Sequence, residues 1–123
     1  NIRVCGPSTL LPKYLDQMGV DVSYDLRDSI QWCDVANILR IQLERQDIKF
    51  FPSNREYSML FGLNESILNK DILLLHPGPI NRGVEVTTGV IDSNKSIVLN
   101  QVENGVAIRM AILYLLASKI KKS

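Results

Sequence analysis

Leu74-Leu75-His76-Pro77-Gly78-Pro79-Ile80-Asn81-Arg82-Gly83-Val84-Glu85 decides how this chain is read. It holds the only histidine of 123 residues, two of the five prolines and two of the seven glycines. The apolar run after Asp71 leads straight into it. A buried strand that meets His-Pro-Gly-Pro stops pairing at once, because proline brings no backbone N–H to a ladder. The carbonyls of Pro77 and Gly78 are then free to face a ligand, and recognition there falls to the backbone.

Working outward, short apolar runs alternate with helical patterns. Ile2–Cys5 reads as a strand broken by Gly6-Pro7. A helix is expected from Thr9 or Leu10 to Met18, with Ser8 or Thr9 as N-cap, Pro12 in its first turn and Gly19 as its stop. Val20–Tyr24 is a second strand, and Asp28–Cys33 a short helix with Asp25 or Asp28 near its start. Val35–Ile41 is a third strand and Phe50–Ser53 a loop. Arg55–Phe61 and Glu65–Asn69 suggest two short helices around Gly62. Ile72–Leu75 is the fourth strand and Ile97–Leu99 a weaker fifth. This alternation predicts an α/β domain spanning residues 1–123, with a doubly wound parallel sheet of about four to five strands flanked by helices.

In such sheets ligands lie beyond the carboxyl ends of the strands. Gly6-Pro7, Arg40 with Gln42, and His76–Pro79 all emerge at that edge. The last helix, from about Asn104 to Lys121, is apolar around almost its whole circumference, with Arg109 and Tyr114 as the interruptions before its lysine-rich end. A surface helix keeps one apolar stripe, so this one calls for cover on both sides. A domain of this size supplies one side, which predicts a partner domain.

Composition is that of an ordinary globular chain, 46% hydrophobic and 22% charged. A formal net charge of +1 gives no reason to expect nucleic acid or an anionic membrane as partner. No apolar run approaches the 18 residues or so of a membrane helix, and no signal peptide is evident. Cys5 and Cys33 have no metal-ligand spacing and read as buried free thiols, which fits a reducing cytoplasm. The first residue is Asn, and the chain reads as a fragment or processed piece.

Arg40 is the best candidate for chemistry. Two readings stand side by side: a strand-end arginine in solvent or a structural pair, or a planar fork that grips a carboxylate with both N–H groups. Glu44 and Arg45 read as a solvated pair. A lone histidine before a proline turn is more often a hydrogen-bonded structural residue than a catalyst, and His76 is read so. Arg82 and Glu85 are read as a pair holding the proline loop. Nothing resembles a metal site, a Ser-His-Asp set or a phosphate-cradling glycine loop, and no cofactor is expected.

His76-Pro77-Gly78-Pro79 with Asn81-Arg82-Gly83-Val84-Glu85 resembles the signature of bacterial aspartate carbamoyltransferase catalytic chains. Gly6-Pro7-Ser8-Thr9-Leu10-Leu11-Pro12, Leu39-Arg40-Ile41-Gln42-Leu43-Glu44-Arg45 and Asn104-Gly105-Val106-Ala107-Ile108-Arg109-Met110-Ala111 agree with it, in the family's order. The resemblance covers the C-terminal, aspartate-binding half; the Ser-Thr-Arg-Thr-Arg motif of the carbamoyl-phosphate domain has no counterpart. It implies that Arg40 and Gln42 bind aspartate, and that main-chain carbonyls of Pro77, Gly78 and Pro79 accept hydrogen bonds from the carbamoyl NH₂. It implies that residues 46–55 are the mobile loop that closes over aspartate, although Phe50 and Phe51 are equally readable as core. It further implies carbamoyl transfer to L-aspartate for pyrimidine synthesis, without a cofactor, in a trimer or larger. Assembly with a regulatory chain or a dihydroorotase is compatible with it.

Three rival readings differ from this one at particular residues. An ornithine carbamoyltransferase has cysteine in a His-Cys-Leu-Pro turn, where this chain has Pro77. A non-catalytic scaffold is disfavoured by Arg40 and Gln42. A receiver-type module needs an acidic cluster at the strand ends, where Arg40 and His76 stand instead.

Overall fold

A computed structural model describes residues 1–42 and 53–118. Glu44, Arg45, most of the expected mobile loop (46–52) and the end of the last helix (119–121) lie outside the described residues. The elements run β1 (Arg3–Cys5), β2 (Asp21–Ser23), α1 (Leu26–Trp32), β3 (Val35–Asn37), α2 (Asn54–Phe61), β4 (Leu73–Leu75), α3 (Thr88–Ile91) and α4 (Val98–Ser118).

Among the described residues all ladders are parallel, as the alternation of strands and helices requires. The strands pair two by two, however. β1 pairs β2 with Val4 opposite Val22, and β3 pairs β4 with Ala36 opposite Leu74. Among the described residues no ladder joins β1 to β3. The expected fifth strand at Ile97–Leu99 contracts to one parallel bridge, Ser96 to Leu74. Val98 already begins α4, because Val98, Gln101 and Val102 follow a helical spacing and Val98 turns inward.

The expected helix up to Met18 is also smaller. The amides of Leu10 and Leu11 turn back to the Pro7 carbonyl, but Pro12 has no N–H to continue and Tyr14 takes a left-handed φ of 70°. A single 3-10 turn remains, Leu15–Met18, stopped by Gly19 at φ 74°. Glu65–Asn69 is a turn rather than a helix, since the Asn64 side-chain oxygen captures the amides of Ser66 and Ile67.

Caps fix the helices that do form. Asp25 accepts the Asp28 amide at 3.0 Å and starts α1. Ser53 accepts the Glu56 amide at 3.1 Å and starts α2. Gly62 ends α2 where chains pass closely: a Cβ there would sit 2.8 Å from the Val84 carbonyl oxygen.

The core gathers around β4. Leu63, Leu74, Val86 and Val90 are at most 1% exposed, and Ile30 of α1 joins them. Burial of each such side chain is worth roughly 1.5–3 kcal/mol. α4 contributes little to this core. Beyond Val98 its residues are exposed or nearly so, including Ile112 at 51% and Leu116 at 60%. Its apolar circumference, legible in the sequence, meets solvent in this chain.

Candidate functional site

A cavity of about 670 Å³ opens between the two ladders. Gly6 and Pro7, past the end of β1, line it, as do Arg40 and Gln42, past the end of β3. Two of the three expected features thus share one cavity. Arg40 is half-buried and Gln42 exposed. Tyr57 and Phe61 of α2 complete the wall, their rings 5.9 Å apart. Neither was singled out from the sequence as a site residue, although their i,i+4 spacing within a capped helix was visible. Burial first, then the charge of Glu85, pushes the Tyr57 phenol up to about 12. It therefore stays a neutral hydroxyl at physiological pH.

Pro77, Gly78 and Pro79 do not line this cavity. They form a separate loop at the end of β4. Gly78 has φ 65°, and the Gly78–Pro79 bond is cis. Its donors turn inward: the Gly78 amide donates to His76 Nδ1 at 2.9 Å, and the Asn81 amide donates to Glu85 Oε1 at 2.8 Å. Among the described residues no donor reaches the carbonyls of Pro77, Gly78 or Pro79. The loop is an acceptor face. Asn81, which the sequence placed in a motif without a role of its own, links the two regions, because its side-chain NH₂ donates to the Ile41 carbonyl at 3.0 Å.

The expected Arg82–Glu85 pair does not form. Arg82 makes a two-pronged contact with Asp92, at 2.9 and 3.0 Å, in solvent. Its hydrogen bonds hold the Asp92 carboxyl below the usual range. Glu85 is buried instead, with Oε1 3.6 Å from His76 Nε2. Glu85 is drawn inward because two loop groups, the Asn81 amide and the His76 ring, converge on it. His76 is buried completely and hydrogen-bonded, as expected of a structural residue. Among the described residues no cluster could hold a metal ion, and no helix is long and apolar enough to cross a membrane.

Burial pushes the His76 basicity down, against an upward pull from Glu85. An unfolded imidazole takes up its proton near pH 6.5, and the folded one does so only at lower pH. Below about pH 6.5 the unfolded chain therefore binds more protons, so stability is full above that pH and falls as pH drops below it. Urea midpoints are expected to decline from about pH 7 to about pH 5.5. The dependence should vanish in that range with His76→Asn; a flat wild-type profile would contradict the neutral, buried ring.

Residues 11–116 match the family described as aspartate/ornithine carbamoyltransferase, Asp/Orn binding domain. The chain is 62% identical over 123 residues to an aspartate carbamoyltransferase catalytic subunit of Flavobacterium psychrophilum, covering 98% of this chain and 40% of that protein. A Cytophaga hutchinsonii protein of the same description is 62% identical over 119 residues, covering 94% and 39%. The chain thus spans about two fifths of the length of these relatives. Among solved structures, an ornithine carbamoyltransferase from Pyrococcus furiosus superposes with TM-score 0.76 at 24% identity, over 98% of this chain and 43% of that one. A Trypanosoma cruzi aspartate transcarbamoylase in complex with carbamoyl phosphate superposes with TM-score 0.71 at 22% identity, over 91% and 39%. At that identity the structures speak for the fold alone.

Proposed function

Because the chain belongs to the aspartate/ornithine carbamoyltransferase family, in its Asp/Orn-binding domain, we propose that it is the aspartate-binding half of an aspartate carbamoyltransferase. The observation that carries this reading is the 62% identity to catalytic subunits of the aspartate type. Residues 1–123 form the one domain that binds the amino acid; the carbamoyl-phosphate domain is the partner that covers α4.

The fold supports the same reading. β1 lines the cavity while β2 does not, and β3 lines it while β4 is flanked by Ser96. β1 and β3 both line the cavity, and we read the two separate ladders as halves of one doubly wound sheet in the order β2-β1-β3-β4. The crevice at the switch between β1 and β3 is where open α/β sheets bind ligands. Gly6-Pro7 and Arg40 stand there.

In this reading Arg40, supported by Gln42, grips the carboxylates of L-aspartate. The carbonyls of Pro77, Gly78 and Pro79 accept hydrogen bonds from the NH₂ of carbamoyl phosphate. An acceptor-only face selects a donor-bearing group and repels a carboxylate, which sorts the two substrates. The aspartate amine attacks the carbamoyl carbon and forms a C–N bond. The tetrahedral oxyanion then collapses, the C–O bond to phosphate breaks, and the departing phosphate takes the proton that the amine nitrogen loses. Orientation and fixed charge drive this without covalent catalysis. The partner domain supplies the groups that hold phosphate and polarise the carbonyl, so this chain alone is inactive. The complete enzyme is a trimer or larger, cytoplasmic and without a cofactor.

Amino-acid specificity tests the reading. This chain, joined to a carbamoyl-phosphate domain, is expected to carbamoylate L-aspartate and to leave L-ornithine untouched. Carbamoyl-ornithine as the main product would overturn the assignment.

A further inference from the structure

The proline loop is held from beneath by side chains rather than by a ladder. Between His76 and Asn81, Pro77 and Pro79 have no N–H to give. Two of the remaining amides are spent on buried side chains, Gly78 on His76 Nδ1 and Asn81 on Glu85 Oε1. Both side chains are nearly inaccessible, at 0% and 1%. The His76 main-chain amide is anchored in turn by Gln101 Oε1 of α4 at 2.8 Å. Asn81 continues the chain of contacts to Ile41, between Arg40 and Gln42. Neither buried side chain is in position to touch a substrate.

We propose that His76 and Glu85 are positioning residues: by capturing the Gly78 and Asn81 amides they turn the carbonyls of residues 77–79 outward, and through Asn81 they fix that face relative to Arg40. This deepens the proposed function and rests on it for its consequence in catalysis. A ring that accepts at Nδ1 carries its hydrogen on Nε2, toward Glu85. A protonated ring would oppose one N–H with another and release Gly78. The groups facing His76 are Glu85 and the Gln101 amide, while Tyr57 of α2 lies within electrostatic reach of Glu85.

His76 is the only histidine, so the imidazole spectrum of the ¹⁵N-labelled chain needs no assignment. The expected result at neutral pH is a bare Nδ1, with a through-hydrogen-bond coupling to the Gly78 amide nitrogen. A hydrogen on Nδ1, or a charged ring, would overturn the proposal. The second arm uses the complete enzyme and carbamoyl phosphate. His76→Asn keeps an acceptor where Nδ1 stands, and His76→Leu keeps bulk without one. The Leu variant is expected to raise the KM for carbamoyl phosphate by about 10- to 100-fold, with Asn restoring most of it. Equal effects of the two, or none, would contradict positioning. If the Leu variant fails to fold, the Asn variant decides: near-normal KM supports the proposal, and a KM raised 10-fold or more overturns it. An enzyme that makes no carbamoyl-aspartate would sink the proposed function, while the spectrum would still judge the role of His76.

Discussion

Arg40→Ala is expected to cut carbamoyl-aspartate formation by the complete enzyme between about 30-fold and several-thousand-fold. Losing one partner of a desolvated, hydrogen-bonded charge pair costs about 2–5 kcal/mol, and each 1.4 kcal/mol is a factor of ten. Arg40 is half-buried in the wall of a cavity, past the end of β3, which sets this estimate above that for a surface ion pair. The loss should fall on aspartate, in its KM and in kcat, and leave carbamoyl phosphate affinity nearly unchanged. Arg40→Lys should recover little, because an ammonium lacks the planar fork. Steady-state kinetics with each substrate varied in turn would check it. Undiminished turnover with alanine would remove Arg40 from the site.

The second large effect concerns α4. Ile112→Glu combined with Leu116→Glu places two charges one turn apart on the same face. Both side chains are more than half exposed in this chain. Its own stability should therefore change by no more than about 0.5 kcal/mol. Association with the carbamoyl-phosphate domain is a different matter. Each Leu or Ile buried there contributes roughly 1.5–3 kcal/mol, so two together imply a loss of about 100-fold or more. Sedimentation of the two halves, alongside a urea titration of this chain, separates the cases. A stability loss with association intact would show that α4 packs on its own domain instead.

Much of this was legible in the sequence, for reasons that differ by element. β4 and the break after it were plain because His76-Pro77-Gly78-Pro79 ends any ladder. The helices that formed as expected, α1 and α2, have side-chain caps at Asp25 and Ser53. The expected helix ending at Met18 had its stop but not its start: Gly19 did its part, while Tyr14 in the left-handed region broke the run. Ile97–Leu99 misled because three residues cannot distinguish a strand from the first turn of a helix. The fate of Arg82 and Glu85 was out of reach. Sequence proximity suggested a pair, yet burial drew Glu85 to His76 and Asn81 and left Arg82 to Asp92 in solvent. Asn81 was equally hidden, since its partner is the carbonyl of Ile41, far away in the chain. A motif names such residues but not the distant backbone groups through which they act.

The most direct test of the central claim is carbamoyl-aspartate formation by this chain alone and mixed with a separately made carbamoyl-phosphate domain. No product is expected from either half alone, and product is expected from the mixture, abolished or nearly so by Arg40→Ala. Product from this chain alone, or none from two halves that are folded and associated, would contradict the claim.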